Sequence, residues 1–358
     1  NKTELKTTYA YNVRSWTEKI QNPLFTQQLY YNTAFGGRDP QYNGNITGIE
    51  WTAPDKLKRG YSFRYDNLSR LLASMYFENG KTPEGNTYGT TYTYDKHGNI
   101  TFIGRNGKTG KTPAVGRIDD LNLRYTGNQL THVKDNAADI NMAISADFKD
   151  RNHASYPVEY TYNKNGSMQS DYNKGITKIQ YNSLNLPLSI VIDNASVKGQ
   201  VHYTYSASGE KLRTVHRTDP DLQRSPVMAV SPYTTAATIT KTTDYVGNKI
   251  YEDGTLKRIL IDGGYIESNV YHFYLTDHLG NNRVVADATG KAVQTTHYYP
   301  FGMAFSEGTV QEQGKQPHKY NGKELDATHG LNMYDYHARQ MDPAIGRFMM
   351  VDPLAEKY

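Results

Sequence analysis

Short runs of alternating apolar and polar positions recur along this chain, and each run ends in a turn-forming residue. In the stretch YTYDKHGNI (92–100) two tyrosines flank a threonine, and Asp95 and Gly98 follow. Alternation with a period of two is the pattern of a half-buried β-strand, and aspartate followed by glycine is typical of a tight turn. The stretch therefore predicts a β-hairpin, with Tyr92 and Tyr94 on one buried face and with Asp95 accepting hydrogen bonds from turn amides.

Six stretches repeat this arrangement, and most of them share one template. They are FRYDNLSRL from Phe63, YTYDKHGNI from Tyr92, LRYTGNQL from Leu123, YTYNKNGSM from Tyr160, IQYNSLNLPL from Ile179 and YTYSASGEKL from Tyr203. Because the residue after the second aromatic varies among Asp, Asn, Ser and Thr, turn formation explains it better than catalysis does. The residues that we assign to this structural motif are Tyr65, Asp66, Tyr94, Asp95, Tyr162, Asn163 and Tyr205.

These hairpins predict an all-β fold, and their spacing argues against a rigid solenoid with a constant repeat length. The intervals between copies are unequal, but hairpins that cannot bury a face alone are expected to stack on their neighbours. Two short helices are predicted as exceptions, in NAADINMAISADF (136–148) and near Val13 to Ile20. We divide the chain into an N-terminal segment (1–55), a hairpin region (56–240) and a C-terminal core (241–358).

Composition narrows the function classes. The chain has 358 residues, 31 tyrosines and no cysteine, which excludes disulfides, thiol nucleophiles and thiolate metal sites. Its formal net charge of +4 comes from scattered basic residues, a pattern that does not favour nucleic-acid binding. No apolar run approaches the roughly 18 residues that a transmembrane helix needs. Because the sequence begins with NKTELKTTYAYN, we expect a mature product or a fragment, with any export signal upstream.

The C-terminal third carries longer motifs. They are YLTDHLGNNRVVADATG, YYPFGM and KYNGKELDATHGLNMYDYHARQMDPAIGRFMMVDPLAEKY, in that order. Together with the hairpins, they resemble the YD repeats and the C-terminal repeat-associated core of the rearrangement hotspot (RHS) family, and the terminal wording is most similar to Bacteroidetes members. Within this core the resemblance singles out Asp277, Gly280, Arg283, Gly346 and Arg347.

The resemblance implies a cocoon-like fold and a containing function. Members of the family build β-sheets that spiral into a hollow shell, which holds a polymorphic C-terminal toxin or another effector and is closed by the core. Related shells occur in insecticidal toxin complexes and in teneurins, where the shell serves adhesion. The sequence ends at Tyr358, before the further Asp-Pro-x-Gly element that is usual in the family. We therefore expect the effector to lie outside this sequence.

One cluster is a candidate for catalysis. The resemblance places Arg339, Asp342, Arg347 and Asp352 in the region where some RHS shells cut their own chain. Two neighbouring carboxylates can separate their pKa values, so that one holds a proton while the other activates water, and an arginine can keep one of them ionised. The assigned catalytic residues are Asp342, Asp352 and Arg339. The alternative is that these aspartates only open turns.

Histidines and tryptophans are weaker candidates. Six histidines are concentrated near the C-terminus without any metal-binding spacing such as HExxH, and they are His272, His278, His297, His318, His329 and His337. We interpret them as structural and expect neither a metal nor another cofactor. Exposed aromatic rings such as Trp16 and Trp51 can stack on sugars, but packing between strands explains most aromatic residues.

These observations favour a structural shell segment of an exported bacterial protein, secreted or at the cell surface. Its expected partner is its own C-terminal effector or a neighbouring polypeptide. Two alternatives remain open. One is a self-cleaving core that acts once on its own chain, which would be the only enzymatic activity. The other is an adhesion or carbohydrate-binding module that engages a surface glycan or another cell-surface component.

Overall fold

The computed structural model describes residues 5–110, 114–138, 140, 147–151, 157–194, 197–219, 238–305 and 314–355. Strands dominate these residues, which confirms the all-β prediction. The strands are β1 (Thr8–Tyr11), β2 (Thr17–Asn22), β3 (Phe25–Tyr30), β4 (Gly48–Thr52), β5 (Lys58–Tyr65), β6 (Leu71–Glu78), β7 (Thr90–Tyr94), β8 (Ile100–Lys108), β9 (Val115–Thr126), β10 (Gln129–Asp135), β11 (Tyr160–Tyr162), β12 (Met168–Asp171), β13 (Ile176–Tyr181), β14 (Pro187–Asp193), β15 (Lys198–Tyr205), β16 (Lys211–Thr218), β17 (Thr238–Val246), β18 (Lys249–Glu252), β19 (Thr255–Ile261), β20 (Gly264–Glu267), β21 (Val270–Thr276), β22 (Asn282–Asp287), β23 (Ala292–Thr295), β24 (Glu324–Asp326), β25 (Met333–Asp335), β26 (Gln340–Asp342) and β27 (Arg347–Phe348).

Single 3-10 turns supplement the strands, at Glu84–Asn86, Pro300–Gly302, Tyr320–Gly322 and Thr328–Gly330. Within the described residues, no helix reaches the length and apolarity that crossing a bilayer requires. The chain divides into two compact units. Unit 1 comprises residues 1–123, 134–148 and 270–324, and unit 2 comprises residues 124–133, 149–269 and 325–358.

Unit 1 contains β1 to β8, most of β9, and β21 to β23. Strands β1 to β9 pair antiparallel in the order of the sequence, the arrangement that consecutive hairpins produce. Alternation is visible in β3, where buried and half-buried residues take turns. The core of this unit is strongly aromatic, and its largest members include Phe25, Trp51, Tyr61, Tyr76, Tyr88, Tyr299 and Phe305.

Unit 2 contains most of β10, β11 to β20, most of β24, and β25 to β27. Strands β11 to β20 again pair with their sequence neighbours, and β24 to β27 form a separate four-stranded sheet. The amide of Met168, in β12, donates to the carbonyl oxygen of Met349, which follows β27, at 3.0 Å. This bond attaches the small sheet to the β11–β12 hairpin within the unit.

The helix prediction near Val13 to Ile20 is wrong, because β2 begins at Thr17. Alternate residues of β2 turn toward the interior, with Ile20 and Asn22 buried and Lys19 and Gln21 exposed. A strand period therefore replaces the expected helical one. Most of the second predicted helix (136–148) lies outside the described residues.

Candidate functional site

The repeated aspartates and asparagines organise the hairpin turns. Asp95 Oδ1 accepts hydrogen bonds from the amides of His97 and Asn99, at 2.8 and 2.9 Å. The amide of Gly98 donates to the carbonyl oxygen of Asp95 at 3.1 Å, with Gly98 in the left-handed region at φ +88°. The side chain thus satisfies amides that the ladder leaves unpaired, which is the turn role that the sequence predicts.

The same turn recurs in the other copies. Amides two and four residues downstream donate to Asp66 Oδ1 (2.9 and 2.9 Å) and to Asn163 Oδ1 (2.9 and 3.0 Å). After Tyr205, the Ser206 hydroxyl accepts from the amide of Glu210 at 3.0 Å. The strand register shifts at the residue before the turn in each case, including Tyr65, Tyr94, Tyr162 and Tyr205. This combination of a turn, a left-handed residue and a bulge is a standard hairpin closure. The copy LRYTGNQL differs, because only Gly127 and Asn128 separate its strands.

The second tyrosine of several copies connects its hairpin to the preceding one. The Tyr94 hydroxyl donates to the carbonyl oxygen of Leu71 at 2.7 Å, and the Tyr65 hydroxyl donates to that of Ile46 at 3.0 Å. In unit 2, the Tyr181 hydroxyl donates to the carbonyl oxygen of Met168 at 2.5 Å. The neighbouring aspartate or asparagine closes the hairpin itself. In these copies the aspartate or asparagine thus provides hydrogen bonds within a hairpin, and the tyrosine provides one bond between hairpins.

The core motif around Asp277 uses the same turn and adds a buried cation. Asp277 Oδ1 accepts from the amides of Leu279 and Asn281, both at 3.0 Å. Gly280 has a φ of +78°. Arg283, which is 4% exposed, lies with Nη1 3.3 Å from Asp277 Oδ2.

The other side of the Arg283 guanidinium meets aromatic rings. Its Cζ lies 4.7 Å from the centre of the Trp51 ring, and its Nη2 lies 3.2 Å from His297 Nδ1. The Trp51 indole also donates to His297 Nδ1 at 3.2 Å. Burial and the positive charge of Arg283 lower the pKa of His297 well below its usual value, so His297 is neutral and accepts at Nδ1. Trp51 is 1% exposed, which contradicts its interpretation as an exposed sugar-stacking ring.

The predicted catalytic residues have different ionic partners. Arg339 Nη2 lies 2.7 Å from Asp352 Oδ2, a carboxylate that is 43% exposed, and the Arg339 guanidinium covers the Phe348 ring at 4.0 Å. Asp352 Oδ1 also accepts from the amide of Leu354 at 2.9 Å. These contacts are those of a surface ion pair combined with a turn.

Asp342 is instead buried beside a lysine. It ends β26, and its side chain is 4% exposed. Its Oδ1 accepts from the amide of Ala344 at 2.9 Å. Its Oδ2 lies 3.1 Å from Lys174 Nζ, and this oxygen accepts no hydrogen bond of regular geometry within the described part of the chain.

A second carboxyl group, Asp171, belongs to the same buried cluster. Asp171 is 1% exposed, and its Oδ1 accepts from the amide of Lys174 at 3.1 Å. Burial, together with the charge of Asp342 and against that of Lys174, raises the pKa of Asp171 to about 7. We call Asp171, Lys174 and Asp342 the carboxylate–lysine cluster. The Asp171 carboxyl of this cluster can take up or release a proton near neutral pH, a property that favours proton transfer.

Gly346 and Arg347 lie at the turn that follows Asp342. Gly346 has a φ of +62°, and Arg347 pairs with Asp342 in the β26–β27 register. The Arg347 guanidinium donates to the carbonyl oxygen of Asn128 and lies 5.3 Å from the centre of the Tyr125 ring. Arg347 therefore joins the small sheet to the Tyr125 hairpin turn within unit 2.

Comparisons with known proteins agree with this arrangement. Residues 254–357 match the family described as teneurin YD-shell. Salivary gland surface protein 1 of Aedes aegypti is 37% identical over 93 residues, which are 26% of this chain and 3% of that protein. Two solved structures align over 97% of this chain and 18% of their own chain, both at 15% identity. They are a TcdB2–TccC3–Cdc42 crystal structure, with a TM-score of 0.57, and the Tc holotoxin pore of Photorhabdus luminescens, with a TM-score of 0.55.

The structural matches show the fold of the chain, and the family match shows that the sequence of residues 254–357 is similar to that of teneurin YD shells. The chain spans less than a fifth of the solved chains that it resembles.

The histidines of the described residues do not assemble a metal site. In the residues that the structure describes, no three histidine or carboxylate side chains converge as a metal ion would need. His216 and Asp326, at 3.1 Å, form one of the closest contacts of this kind. Trp16 is half-buried and packs against Tyr31 and Arg14.

Sequence reasoning missed two members of the carboxylate–lysine cluster. Asp171 and Lys174 lie in QSDYNKGI, which comes directly after YTYNKNGSM in the sequence and carries no motif of its own. Nothing in their spacing relates them to Asp342, because the contact is formed by residues more than 160 positions apart in the numbering. The sequence signal that could have indicated Asp171 is an aspartate at the end of a buried strand. This signal is not specific.

Proposed function

We propose that this chain is a wall segment of a YD-repeat shell that encloses or presents a polypeptide. The structural match to Tc toxin assemblies over 97% of the chain carries this proposal. Hairpins that follow one another in sequence order, several of them joined to the preceding one by a tyrosine hydroxyl, are suited to a continuous wall. Such a wall needs no catalytic group of its own, because it acts by excluding proteases and solvent.

The proposal extends to the setting of the protein. The names of the similar proteins, a holotoxin and a salivary gland surface protein, favour a protein that is secreted or displayed at the cell surface. The C-terminal motifs favour a bacterial RHS protein, Bacteroidetes-like, whose core (241–358) plugs the shell. We propose its own C-terminal effector, of the polymorphic-toxin type, or a neighbouring polypeptide as cargo.

Containment can be tested with a reporter. An unstructured peptide with a site for a specific protease is fused after Tyr358, and the same peptide is fused before Asn1 as the matched control. We expect the C-terminal reporter to be cut at least tenfold more slowly, and Gly98→Val, which forces a side chain onto a left-handed position (φ +88°), to accelerate its cleavage. Equal cleavage of both reporters in the folded protein would remove containment as the function of this chain.

Self-cleavage by the C-terminal region is a second candidate. It is favoured by one observation, the buried Asp342 with a protonatable Asp171 in the same cluster. The roles predicted for Asp342, Asp352 and Arg339 stay predictions. The test is to extend the chain through a downstream Asp-Pro-x-Gly element and to compare the wild type with Asp342→Asn and Asp352→Asn. If the wild type stays intact, or if both variants are cut at the wild-type rate, these aspartates are only turn residues.

A further inference from the structure

The carboxylate–lysine cluster has a geometry that an ordinary ion pair does not need. Lys174 Nζ and Asp342 Oδ2 are 3.1 Å apart, and the two side chains are only 12% and 4% exposed. Water is therefore largely excluded from a nitrogen and a carboxyl group in contact. Pairs held in this way react as if each were present at a very high local concentration.

Asp171 provides the group that such a reaction requires. It lies at the end of β12, and Lys174 lies in the turn that follows, so one short segment carries both side chains. The buried carboxyl of Asp171 titrates near neutral pH. It can accept a proton from an ammonium group and return it to a leaving oxygen without help from solvent.

We propose that Lys174 and Asp342 condense to an internal amide bond, with Asp171 as the proton carrier. Asp171, as a carboxylate, takes a proton from the Lys174 ammonium and passes it to one oxygen of the Asp342 carboxylate while Lys174 Nζ attacks Cγ, so that a bond forms between Nζ and Cγ. Asp171 then takes a second proton from this nitrogen and gives it to the same oxygen, the bond between Cγ and that oxygen breaks, and the oxygen leaves as water. An ammonium and a carboxylate thus become one amide and one water molecule, and no oxidant or other reactant is needed.

The surroundings of the cluster support this chemistry. Two further buried residues, Glu159 and Tyr160, lie near it. Burial, and then the charges of Asp171 and Asp342, raise the pKa of the Tyr160 phenol, and Glu159 contacts Asn173, which lies between Asp171 and Lys174 in the sequence. Glu159 is committed to other bonds, because its Oε2 accepts from the amide of Val133 and from the Asn173 side chain, both at 2.9 Å. The reacting Asp342 Oδ2 has no such hydrogen bond in the described residues.

The bond would give this cysteine-free chain a covalent crosslink. It would join the turn after β12 to β26 of the small C-terminal sheet, both in unit 2. A link between positions so distant in sequence closes a long loop and restricts the unfolded chain, as a disulfide does.

Intact mass spectrometry of the purified wild-type chain tests the proposal directly. We expect a mass one water below that of the sequence and, after proteolysis, a branched peptide that joins Lys174 to Asp342. Lys174→Arg and Asp342→Ala should restore the full sequence mass. Asp171→Asn should slow the loss of water at least tenfold, and Asp342→Asn should lose ammonia instead. A wild-type mass equal to the sequence mass, after refolding and prolonged incubation at neutral pH, would overturn the proposal even if no variant folds.

A second ion pair of the same unit is the matched control. Lys211 Nζ lies 2.6 Å from Asp335 Oδ2, closer than the proposed pair, but these side chains are 16% and 18% exposed. Lys211→Arg should leave the mass deficit unchanged, and a branched peptide at Asp335 would show that proximity alone suffices.

Self-cleavage is distinguished by its products, since two fragments whose masses sum to the chain plus one water contradict an amide at Asp342.

Discussion

Replacing Arg283 by methionine tests how far one buried cation stabilises unit 1. Arg283 is 4% exposed and contacts Asp277 at 3.3 Å, the Trp51 ring at 4.7 Å and His297 Nδ1 at 3.2 Å. Methionine fills most of the same volume, so the change removes the charge and the donors while it keeps the apolar stem packed.

The expected cost follows from what Arg283 leaves behind. Removing one partner of a buried ion pair typically costs about 3 to 5 kcal/mol, because the other charge stays buried without compensation. Asp277 keeps the amides of Leu279 and Asn281 as donors, together with the Asn281 side chain at 2.9 Å. His297 keeps the Trp51 indole. We therefore expect the lower end, a loss of about 3 kcal/mol in the free energy of unfolding.

Tryptophan fluorescence during urea unfolding measures this loss. The chain has two tryptophans, Trp16 and Trp51, and both lie in unit 1, so the signal reports on the unit that carries the mutation. Asp277→Asn is expected to cost less in the Arg283→Met background than in the wild type, because the uncompensated charge is then absent.

An ion pair whose lysine is exposed provides the control in the same unit. Lys58 Nζ lies 2.9 Å from Glu50 Oε1, with the two side chains 54% and 14% exposed, and Glu50 keeps the Tyr30 hydroxyl as a donor at 2.7 Å. Lys58→Met should therefore cost less than about 1 kcal/mol. If Arg283→Met costs no more than Lys58→Met, the buried network does not stabilise the unit and the reasoning from burial is wrong.

Three further changes test the hairpin connections and the cluster. Tyr94→Phe removes the hydrogen bond to Leu71 (2.7 Å) and should lower the free energy of unfolding by about 1 kcal/mol; the control Tyr9→Phe, at a ring that is 53% exposed, should change it little in the same urea titration. Asn163→Ala removes the acceptor of two turn amides and should cost about 1 to 2 kcal/mol by thermal unfolding, whereas Asn163→Asp should cost much less; equal losses would mean that the acceptor is not what matters. Asp171→Asn should make unfolding less dependent on pH. The folded pKa of Asp171 is raised from 3.8 to about 7, so the unfolded chain releases this proton at lower pH than the folded chain does. The contribution of Asp171 to the wild-type free energy of unfolding is therefore complete below pH 4 and falls by at most about 4 kcal/mol as the pH rises to 7. Parallel pH profiles of the two proteins would refute the shift.

The hairpins could be predicted because their determinants are local. The alternation, the Asp or Asn after the second tyrosine and the glycine three residues further on all act within nine residues, as in YTYDKHGNI. Even the substitutions at the left-handed position obey this rule, since Ser69 and Asn185 take a positive φ where other copies have glycine. The wrong helix near Val13 arose because a short segment can satisfy a helical period by chance, and pairing of β2 with its neighbours then decides its conformation.

Contacts between hairpins were only partly predictable. Alternation indicates which tyrosines are buried, but not that the Tyr94 hydroxyl reaches the carbonyl oxygen of Leu71. Likewise, the motif around Asp277 could be recognised as a unit, whereas its contact with Trp51 joins residues more than 200 positions apart in the numbering. Such contacts depend on how successive hairpins stack, which no local pattern specifies.

The carboxylate–lysine cluster shows which neighbours of Asp342 proximity in sequence does not indicate. Asp342 and Asp352 are close along the chain, and both precede a proline, so they suggested a dyad. Turn formation explains that similarity, because the amides of Ala344 and Leu354 donate to the two aspartates in the same way. What distinguishes Asp342 is burial against the turn after β12, which gives it Lys174 and Asp171 as neighbours, whereas Asp352 stays partly exposed beside Arg339. The reactivity of a turn aspartate in this fold therefore depends on whether its turn becomes buried, and tertiary packing rather than the motif decides that.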